Sequence, residues 1–480
     1  MTESTPRKFK KHPWFKRKGY LHFDFALPLI DAEKYVTRPD NILRHRFSPL
    51  IHYGKISRKV KRNILAEKAY KAKGSVGTKP KLLVSEKSRN IFYVSHIDGY
   101  IYSYYTSILQ KAYEQFLLTN NLTNNVIAYR SIRKNGTKFC NSHLANEAFD
   151  LIRASGGCHV LCFDLSKFFD TLSMNVLKQS WAQVLGVQRL SPDHFKVFQS
   201  LEGFCFLEEG DLIENIKGQF DKNPRQHGLD KKAGGSLHNK ICDYPTLRAL
   251  DKKLRANGKP LIQKKTVLDI MGIPQGTPIS GLLSNVFMIS FDIAVKKHIE
   301  GIGGHYRRYS DDIFIMVPTK VAFEEVERFL SERLKVHCGG SIALNQKKTE
   351  KRIYAVSNAG VATITAPDLK ACKIQYLGFH FDGKQVFIRN SSISKDRAKI
   401  IQVIRQHKKR RGQINTTQVF KRRSLRAITP YDNKRSKGFA YYADRSATAH
   451  GNSKTIAAQI KKNDAFIKKA IKRERIRNVK

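Results

Sequence analysis

The sequence is short of acid. It carries 40 Asp and Glu against 88 Lys and Arg, a net charge of +48. So large an excess repels itself unless it is offset, which implies a polyanionic partner; an anionic membrane surface is the alternative. Cysteine is also scarce: Cys140, Cys158, Cys162, Cys205, Cys242, Cys338 and Cys372 are odd in number, scattered, and never form a C-x-x-C pair. That excludes a disulfide framework and a zinc site of ordinary spacing, and leads to the expectation of reduced thiols in a cytoplasmic protein. No apolar run approaches the ~18 residues of a spanning helix, so no membrane partner is expected. Met1–Lys18 is basic from Arg7 onward and lacks the apolar core of a signal peptide; Glu3 and weak amphipathicity argue against mitochondrial targeting. Internal repeats and long low-complexity linkers are absent. What is present is 41% hydrophobic and 10% aromatic residues in 480, a globular composition with room for two to four domains.

Along the chain, residues 1–65 form a basic, aromatic-containing region, and Lys71–Lys81 reads as an exposed loop. Ser88–Val94 reads as a strand. A helix is expected from Asp98 to Leu118, with Ile101, Tyr105, Ile108, Leu109, Ala112 and Phe116 recurring at three- and four-residue steps, and another over Asn141–Ala154. Cys158–Phe163 reads as a buried strand that delivers Asp164 to its end, followed by a helix from Ser173 to Leu185. Residues 200–268 are polar and glycine-rich, with a helical patch at Thr246–Ala256. Gly272–Gly281, a Pro/Gln/Gly loop, enters an apolar helix from Leu282 to Val295. Val321–Val336 is amphipathic, and Ser341–Asn345 reads as a strand leading to Lys347-Lys348-Thr349. Ile374–Phe381 and Gln385–Ile388 frame an Asp-Gly turn. From Asp396 onward the chain is helical and basic. Residues 451–480 hold ten Lys and Arg against Asp464 and Glu474, behind a packing stripe of Ile456, Ile460, Phe466, Ile467 and Ile471.

The sharpest local feature is Tyr309-Ser310-Asp311-Asp312, between His305–Arg308 and the apolar run Ile313–Val317. Two adjacent carboxylates in a hairpin turn repel each other and call for a cation, most simply a divalent metal with its preference for carboxylate oxygen. A solvated Asp-Asp turn is the alternative. Asp164 at a strand end sits where ligands gather in open sheets, or else serves as a helix cap. The Gly272–Gly281 loop permits close backbone approach to a ligand, or is only a connection.

The order of these features resembles the palm of a reverse transcriptase over roughly residues 87–383. Phe163–Asp170 resembles the first carboxylate motif, Ile273–Asn285 the Pro-Gln-Gly motif, Tyr309–Asp312 the Y-x-D-D motif, Leu344–Thr349 the lysine motif and Tyr376–Gly378 the primer grip. Arg89–Asp98 resembles a fingers segment and Ala128–Arg130 a template-side motif. The resemblance implies an α+β right-hand polymerase fold with fingers, a palm of antiparallel sheet and packed helices, and a basic helical thumb. Its boundaries would be a basic region 1–65, fingers 66–160, palm 161–372 with an insertion at about 200–268, a primer-grip hairpin 373–390 and a thumb 391–480. It implies two Mg²⁺ ions, with Mn²⁺ as the alternative, ~3.5–4 Å apart on Asp164, Leu165, Asp311 and Asp312, and deoxynucleoside triphosphate substrates. It gives Lys348 the role of proton donor to pyrophosphate and Arg89 that of triphosphate ligand. Gln275, Gly276 and Tyr309 would line the nucleotide, and Phe169 would exclude a ribose hydroxyl.

Asp164 and Gln275 are 111 positions apart (275 − 164), long for a compact retroviral-type enzyme. No ribonuclease H carboxylate set, zinc-type endonuclease spacing or retron Val-Thr-Gly motif is visible. By elimination the chain most resembles the bacterial antiviral reverse transcriptases, the abortive-infection and defence-associated groups, and Tyr20–Asp24 resembles an N-terminal signature of some of them. That implies a structured non-coding RNA template, a DNA product, a homo-oligomer, and priming from a protein tyrosine such as Tyr431, Tyr441 or Tyr442. An RNA-dependent RNA polymerase, a retron- or intron-type enzyme, an inactive RNA-binding scaffold and a membrane-surface protein are the rival readings.

Overall fold

The computed structural model describes residues 12–476 apart from 62, 73, 76–81, 217–239, 266–271, 412–413, 415, 417–418 and 420–437. The chain divides into two compact units.

The first unit comprises Met1–Asn121, Lys167–Ser290 and Lys335–Ile342. Its long helix, His96–Thr119, buries Ile101, Tyr105, Leu109, Tyr113 and Leu117, a stripe at four-residue steps. Tyr113 and Leu117, rather than Ala112 and Phe116, continue the expected stripe, because steps of four keep one side of the helix inward over this length. The helix start is held by polar groups from far upstream. Ser95 Oγ accepts the Asp98 amide, and the Asp24 carboxylate accepts the amides of His96 and Ile97, each at 2.9 Å. Tyr20 Oη donates to the Val94 carbonyl, and its ring stacks on His96. Leu21, His22 and Phe23 between them are buried. Tyr20–Asp24 is thus a staple across the start of this helix. Strands β1 (Leu50–Gly54), β4 (Asn90–Tyr93), β8 (Cys205–Glu208) and β9 (Gln263–Lys264) form a sheet in the order β4-β1-β8-β9, with β1 and β8 parallel. Residues 200–268 therefore supply two strands of this sheet, and Leu207, Leu212, Ile241, Leu247 and Leu261 share a core with Leu21, Phe23, Ile51 and Tyr93. Strands β2 (Ser57–Lys61) and β3 (Leu83–Lys87) make a separate hairpin. The apolar stretch Leu282–Val295 is two helices, Ser280–Phe287 and Ile289–Gly301: at Met288 the backbone tightens, its amide bonding to Asn285 and Val286.

The second unit comprises Leu122–Ser166, Phe291–Leu334 and Ala343–Lys480. After a small hairpin, β5 (Arg133–Lys134) and β6 (Thr137–Lys138), its main sheet uses β7 (Gly157–Asp164), β10 (His305–Tyr309), β11 (Asp312–Val317), β12 (Glu350–Val356) and β13 (Ala362–Thr365). Their order is β10-β11-β7-β12-β13 with every pair antiparallel. The strand expected at Ser341–Asn345 is a single bridge, Leu165 with Leu344, followed by a tight turn over Gln346–Lys348. Likewise Ile374–Phe381 is two strands, β14 (Ile374–Tyr376) and β15 (Phe379–Phe381), because Leu377 and Gly378 adopt φ of 45° and 94° and turn the chain sharply before β16 (Val386–Ile388). Phe149 and Ile152 of helix Asn141–Ala154 pack with Val160, Phe314, Phe379 and Phe381 in one core. Helices Asn390–Arg411, Phe439–Ala449 and Lys454–Ile476 follow the hairpin. The last buries Ile456, Ile460, Ile467 and Ile471, as the sequence stripe implies, whereas Phe466 is only partly buried. Among the described residues no helix is long and apolar enough to cross a membrane.

Two histidines at the Tyr20–Asp24 staple give the first unit an acid sensitivity. The rings of His22 and His96 are buried, and burial pushes their pKa values down to about 3 and about 4. The unfolded chain therefore binds more protons than the folded one below the free-histidine value of 6.5. The stability is fully present above that value and is lost as pH falls toward the folded pKa. Asp24, pushed up to about 6 by burial, works in the opposite sense, losing stabilisation as pH rises from 3.8 through 6. Comparing His22→Leu with wild type at each pH separates the two. Chemical denaturation of the variant should show a loss between pH 7 and pH 4.5 smaller than that of wild type by roughly 2–3 kcal/mol.

Candidate active site

The second unit brings three carboxylates together through strand register alone. Asp164 ends β7, Asp312 begins β11, and the two are direct partners in the antiparallel ladder. Tyr309 pairs with Asp312 across the β10–β11 hairpin, leaving Ser310 and Asp311 as a two-residue turn beyond the strand ends. Ser310 carries the left-handed backbone this turn needs, with φ of 59°. The Leu165 amide donates to the Asp311 carbonyl at 3.1 Å, and the Asn345 amide to the Asp164 carbonyl at 2.8 Å. The turn, the end of β7 and the start of the lysine segment are thus joined by backbone bonds.

Like charge is the dominant electrostatic fact here. Burial, then the neighbouring carboxylates of Asp311 and Asp164, push the Asp312 pKa up to about 7, against the opposing pull of Lys348 and Arg389. Lys348 Nζ donates to Asp164 Oδ2 at 2.5 Å, and Asn345 Nδ2 reaches the same oxygen at 3.3 Å. Lys348 is half exposed, a flexible counter-charge rather than a buried one. Among the described residues no group of three or more His, Cys, Asp or Glu stands ready-made at metal-ligand spacing. The donor set nevertheless suits a hard divalent cation: Asp164 and Asp312 lie on adjacent strands with Asp311 in the adjoining turn, and Asp312 is pushed toward its protonated form by burial and by the two neighbouring carboxylates. The Tyr309 pKa is raised, first by burial, and its hydroxyl bonds Asn141.

The remaining sequence-predicted residues belong to the first unit. Lys167, at φ of 47°, starts a tight turn over Phe168–Asp170 in which Phe168 is buried and Phe169 half-buried. The Phe169 carbonyl accepts the Ile273 amide at 2.9 Å, and the Leu172 carbonyl accepts the Gly272 amide at 2.8 Å, so the Pro-Gln-Gly loop lies directly on this turn. The Gln275 carbonyl accepts the Phe92 amide of β4 at 2.7 Å. Ser280 Oγ ties the loop to the following helix through the Pro274 carbonyl. Arg89 is exposed, and its backbone pairs with Lys55 in both directions. The structure therefore assembles Asp164, Asp311, Asp312 and Lys348 in one unit, and Phe169, Gln275 and Gly276 around one loop in the other.

Two further groups beside the carboxylates were not among the expected site residues. Asn345 lay within the quoted lysine motif, so its position was visible though its role was not. Arg389 had no local signature; it reaches the site's electrostatic field because its amide bonds the Gly378 carbonyl at the Leu377–Gly378 turn.

Residues 243–381 match the family model described as reverse transcriptase (RNA-dependent DNA polymerase). The match holds Gln275, Gly276, Tyr309, Asp311, Asp312 and Lys348 and begins after Asp164. This domain indicates RNA-directed DNA polymerase activity. No curated protein matches the chain significantly. Solved structures similar to it include apo telomerase from Candida tropicalis truncated from its C-terminal domain, at 14% identity and a TM-score of 0.37, covering 67% of this chain and 58% of that one. The apo telomerase of Candida tropicalis is similar at 12% identity and a TM-score of 0.40, over 90% of this chain and 68% of that one. Telomerase from Candida albicans, in complex with the TWJ fragment of telomeric RNA, is similar at 14% identity and a TM-score of 0.39, over 93% and 65%. The chain thus spans less than two thirds of the truncated Candida tropicalis protein. At these scores the likeness is loose, and the polymerase assignment rests on the matched domain.

Two glycines test the loop geometry. A Cβ on Gly276, whose φ is 115°, would lie 2.5 Å from the Phe92 carbonyl oxygen, and one on Gly272 would lie 2.6 Å from the Asp170 backbone. Gly276→Ala combines a forbidden backbone angle with a backbone clash. We expect it to lower stability by ~2 kcal/mol or more in a denaturation curve, and to raise the KM for nucleotide if the loop lines the nucleotide site.

Proposed function

We propose that this protein is a right-hand polymerase that copies an RNA template into DNA. Asp164, Asp311 and Asp312, with Leu165 beside them, would hold two divalent ions, Mg²⁺ or Mn²⁺. Bound there, the ions would lower the pKa of the primer hydroxyl and clamp the triphosphate. The observation that carries this reading is the placement of Asp312 directly opposite Asp164 with Asp311 in the adjoining turn. The protein's own part is to fix these carboxylates on rigid strands, and to offer Lys348 as the proton donor to the leaving pyrophosphate. Phe169, Gln275 and Gly276 form the nucleotide side of the reading, with Phe169 excluding a ribose hydroxyl, Tyr309 beside the nucleotide and Arg89 as a triphosphate ligand. The domains in this reading are those the sequence suggests: a basic region 1–65, fingers 66–160, a palm 161–372 with an insertion at about 200–268, a primer-grip hairpin 373–390 and a basic thumb 391–480.

The biological setting we infer is antiviral defence in a bacterial cytoplasm, with a structured non-coding RNA as template and a homo-oligomer as the working form. The net charge of +48 supports a nucleic-acid partner. For a protein-primed start, Tyr431 lies outside the described residues. Of the other two, both partly buried, Tyr442 packs against Phe379 and Phe439, whereas Tyr441 lies beside Arg445 and is the better candidate hydroxyl. Protease treatment of the DNA product should change its mobility if a tyrosine primes, and leave it unchanged if a nucleic acid does.

The second reading is RNA synthesis on the same palm, and Phe169 weighs against it. With separate nucleotide pools and an RNA template, wild type should incorporate deoxynucleotides, and Asp311→Asn should lower incorporation by at least ~10³-fold with RNA retention nearly unchanged. Phe169→Ala should admit ribonucleotides. Incorporation of ribonucleotides alone by wild type would reverse the assignment. Intact biological function in Asp311→Asn would make the protein a scaffold.

A further inference from the structure

Asp292 is an acid inside the apolar run Leu282–Val295, on helix Ile289–Gly301, and none of the roles above uses it. It is fully buried, as is its partner Arg308, the residue before Tyr309. Arg308 Nε donates to Asp292 Oδ1 at 2.7 Å and Nη2 to Oδ2 at 2.5 Å, a two-pronged pair, and Tyr306 Oη donates to Oδ1 at 2.5 Å. A buried ion pair is a poor way to gain stability, because desolvating both charges offsets most of their attraction. Its geometry suggests another use. The remaining guanidinium nitrogen, Nη1, donates to the carbonyl of Ser310 at 3.1 Å.

That carbonyl belongs to the left-handed residue at the tip of the Y-x-D-D turn. The next carbonyl, that of Asp311, is held by the Leu165 amide. Two successive carbonyls of the turn are therefore anchored, one to the backbone of the central strand and the other to the Arg308 side chain. Arg308 is itself immobilised. Its amide donates to the Asn125 carbonyl at 2.7 Å, its carbonyl accepts the Ile127 amide at 3.0 Å, and Asn125 Nδ2 donates to the Tyr306 carbonyl at 2.8 Å. The segment ending in Ala128–Arg130 thus runs along the outer edge of β10, and Ser310 Oγ lies 3.4 Å from Tyr129 Oη.

We infer that Arg308 and Asp292 are positioning residues. The carboxylate locks the guanidinium plane, and the guanidinium fixes the Ser310 carbonyl and with it the orientation of Asp311 and Asp312. This inference rests on the reading of those two aspartates as catalytic. Lysine cannot reproduce it, because a single ammonium cannot span both carboxylate oxygens and the carbonyl.

The test uses the full chain on an RNA template with a DNA primer. Wild type and Asp311→Asn come first: an inactive wild type, or an active Asp311→Asn, overturns the catalytic reading and the clamp's role with it. Given a sensitive site, Arg308→Lys is compared with Tyr306→Phe, which removes a bond to Asp292 but spares the contact to Ser310. Arg308→Lys should lower kcat by ~10–100-fold, the scale of a small misplacement of reacting groups. The KM for deoxynucleotide should stay within about twofold, and Mn²⁺ binding followed by electron paramagnetic resonance should weaken about tenfold. Tyr306→Phe should keep kcat within about twofold even where its melting temperature falls as far. An Arg308→Lys enzyme with wild-type kcat, or a kcat that falls equally in both variants at equal melting temperature, overturns the clamp alone. If Arg308→Lys does not fold, Asp292→Asn serves in its place: it keeps the shape, weakens the lock, and should lower kcat about tenfold at constant KM. Unchanged kcat there overturns the clamp.

Discussion

The structure of the second unit depends on one electrostatic constraint: three carboxylates must be kept side by side against their own repulsion. Register does this. Because Asp164 and Asp312 are cross-strand partners in the middle of a five-stranded sheet, separating them would mean breaking a ladder that continues through Phe163–Ile313, Cys162–Phe314 and Leu161–Ile315. Those pairs place apolar side chains on both faces of the sheet, and a slip of one residue would exchange the side chains that each face packs against its own neighbours. The hydrophobic pattern of β7 and β11 therefore fixes the charge pattern at their ends.

The balancing cations come from elements of different rigidity. Arg389 is tied by its backbone to the Leu377–Gly378 turn, so its charge is placed by a hairpin. Lys348 stands on a three-residue turn after a single bridge and is half exposed, so its charge can move away from Asp164 without disturbing a strand. The proposed proton donor, near the carboxylates at one moment and near a leaving group at another, would be well served by that placement.

Much of this was legible in the sequence, and for identifiable reasons. The runs Cys158–Phe163 and Ile313–Val317 are apolar and β-branched enough to announce strands, and each brings an aspartate at its end. Asn141–Ala154 was recovered to the residue because its apolar positions recur cleanly. What could not be read were features decided by backbone geometry or by distant partners. The break at Met288 lies inside an unbroken apolar run, and periodicity does not mark a change of hydrogen-bond step. Residues 341–345 have strand-like composition, yet only one bridge forms, because their partner strand ends at Asp164. The segment 200–268 reads as an insertion by composition, although Leu207 and Leu212 are core residues of the first unit. The Arg308–Asp292 pair left one faint trace, an acid inside the apolar run Leu282–Val295, which gains meaning only when the buried arginine opposite is seen.

One consequence follows from the elevated Asp312 pKa. A carboxylic acid held above its ordinary range favours the folded state while protonated and weakens it once ionised, so as pH rises through about 7 the fold gives up stability at the very position the proposed chemistry would use. Under the proposed mechanism, fold and catalyst thus pull in opposite directions at a single atom group. A collection of variants ranked for robustness alone, without regard to turnover, would drift toward uncharged side chains here. The sturdiest descendants of this protein would be the ones that had forgotten how to copy.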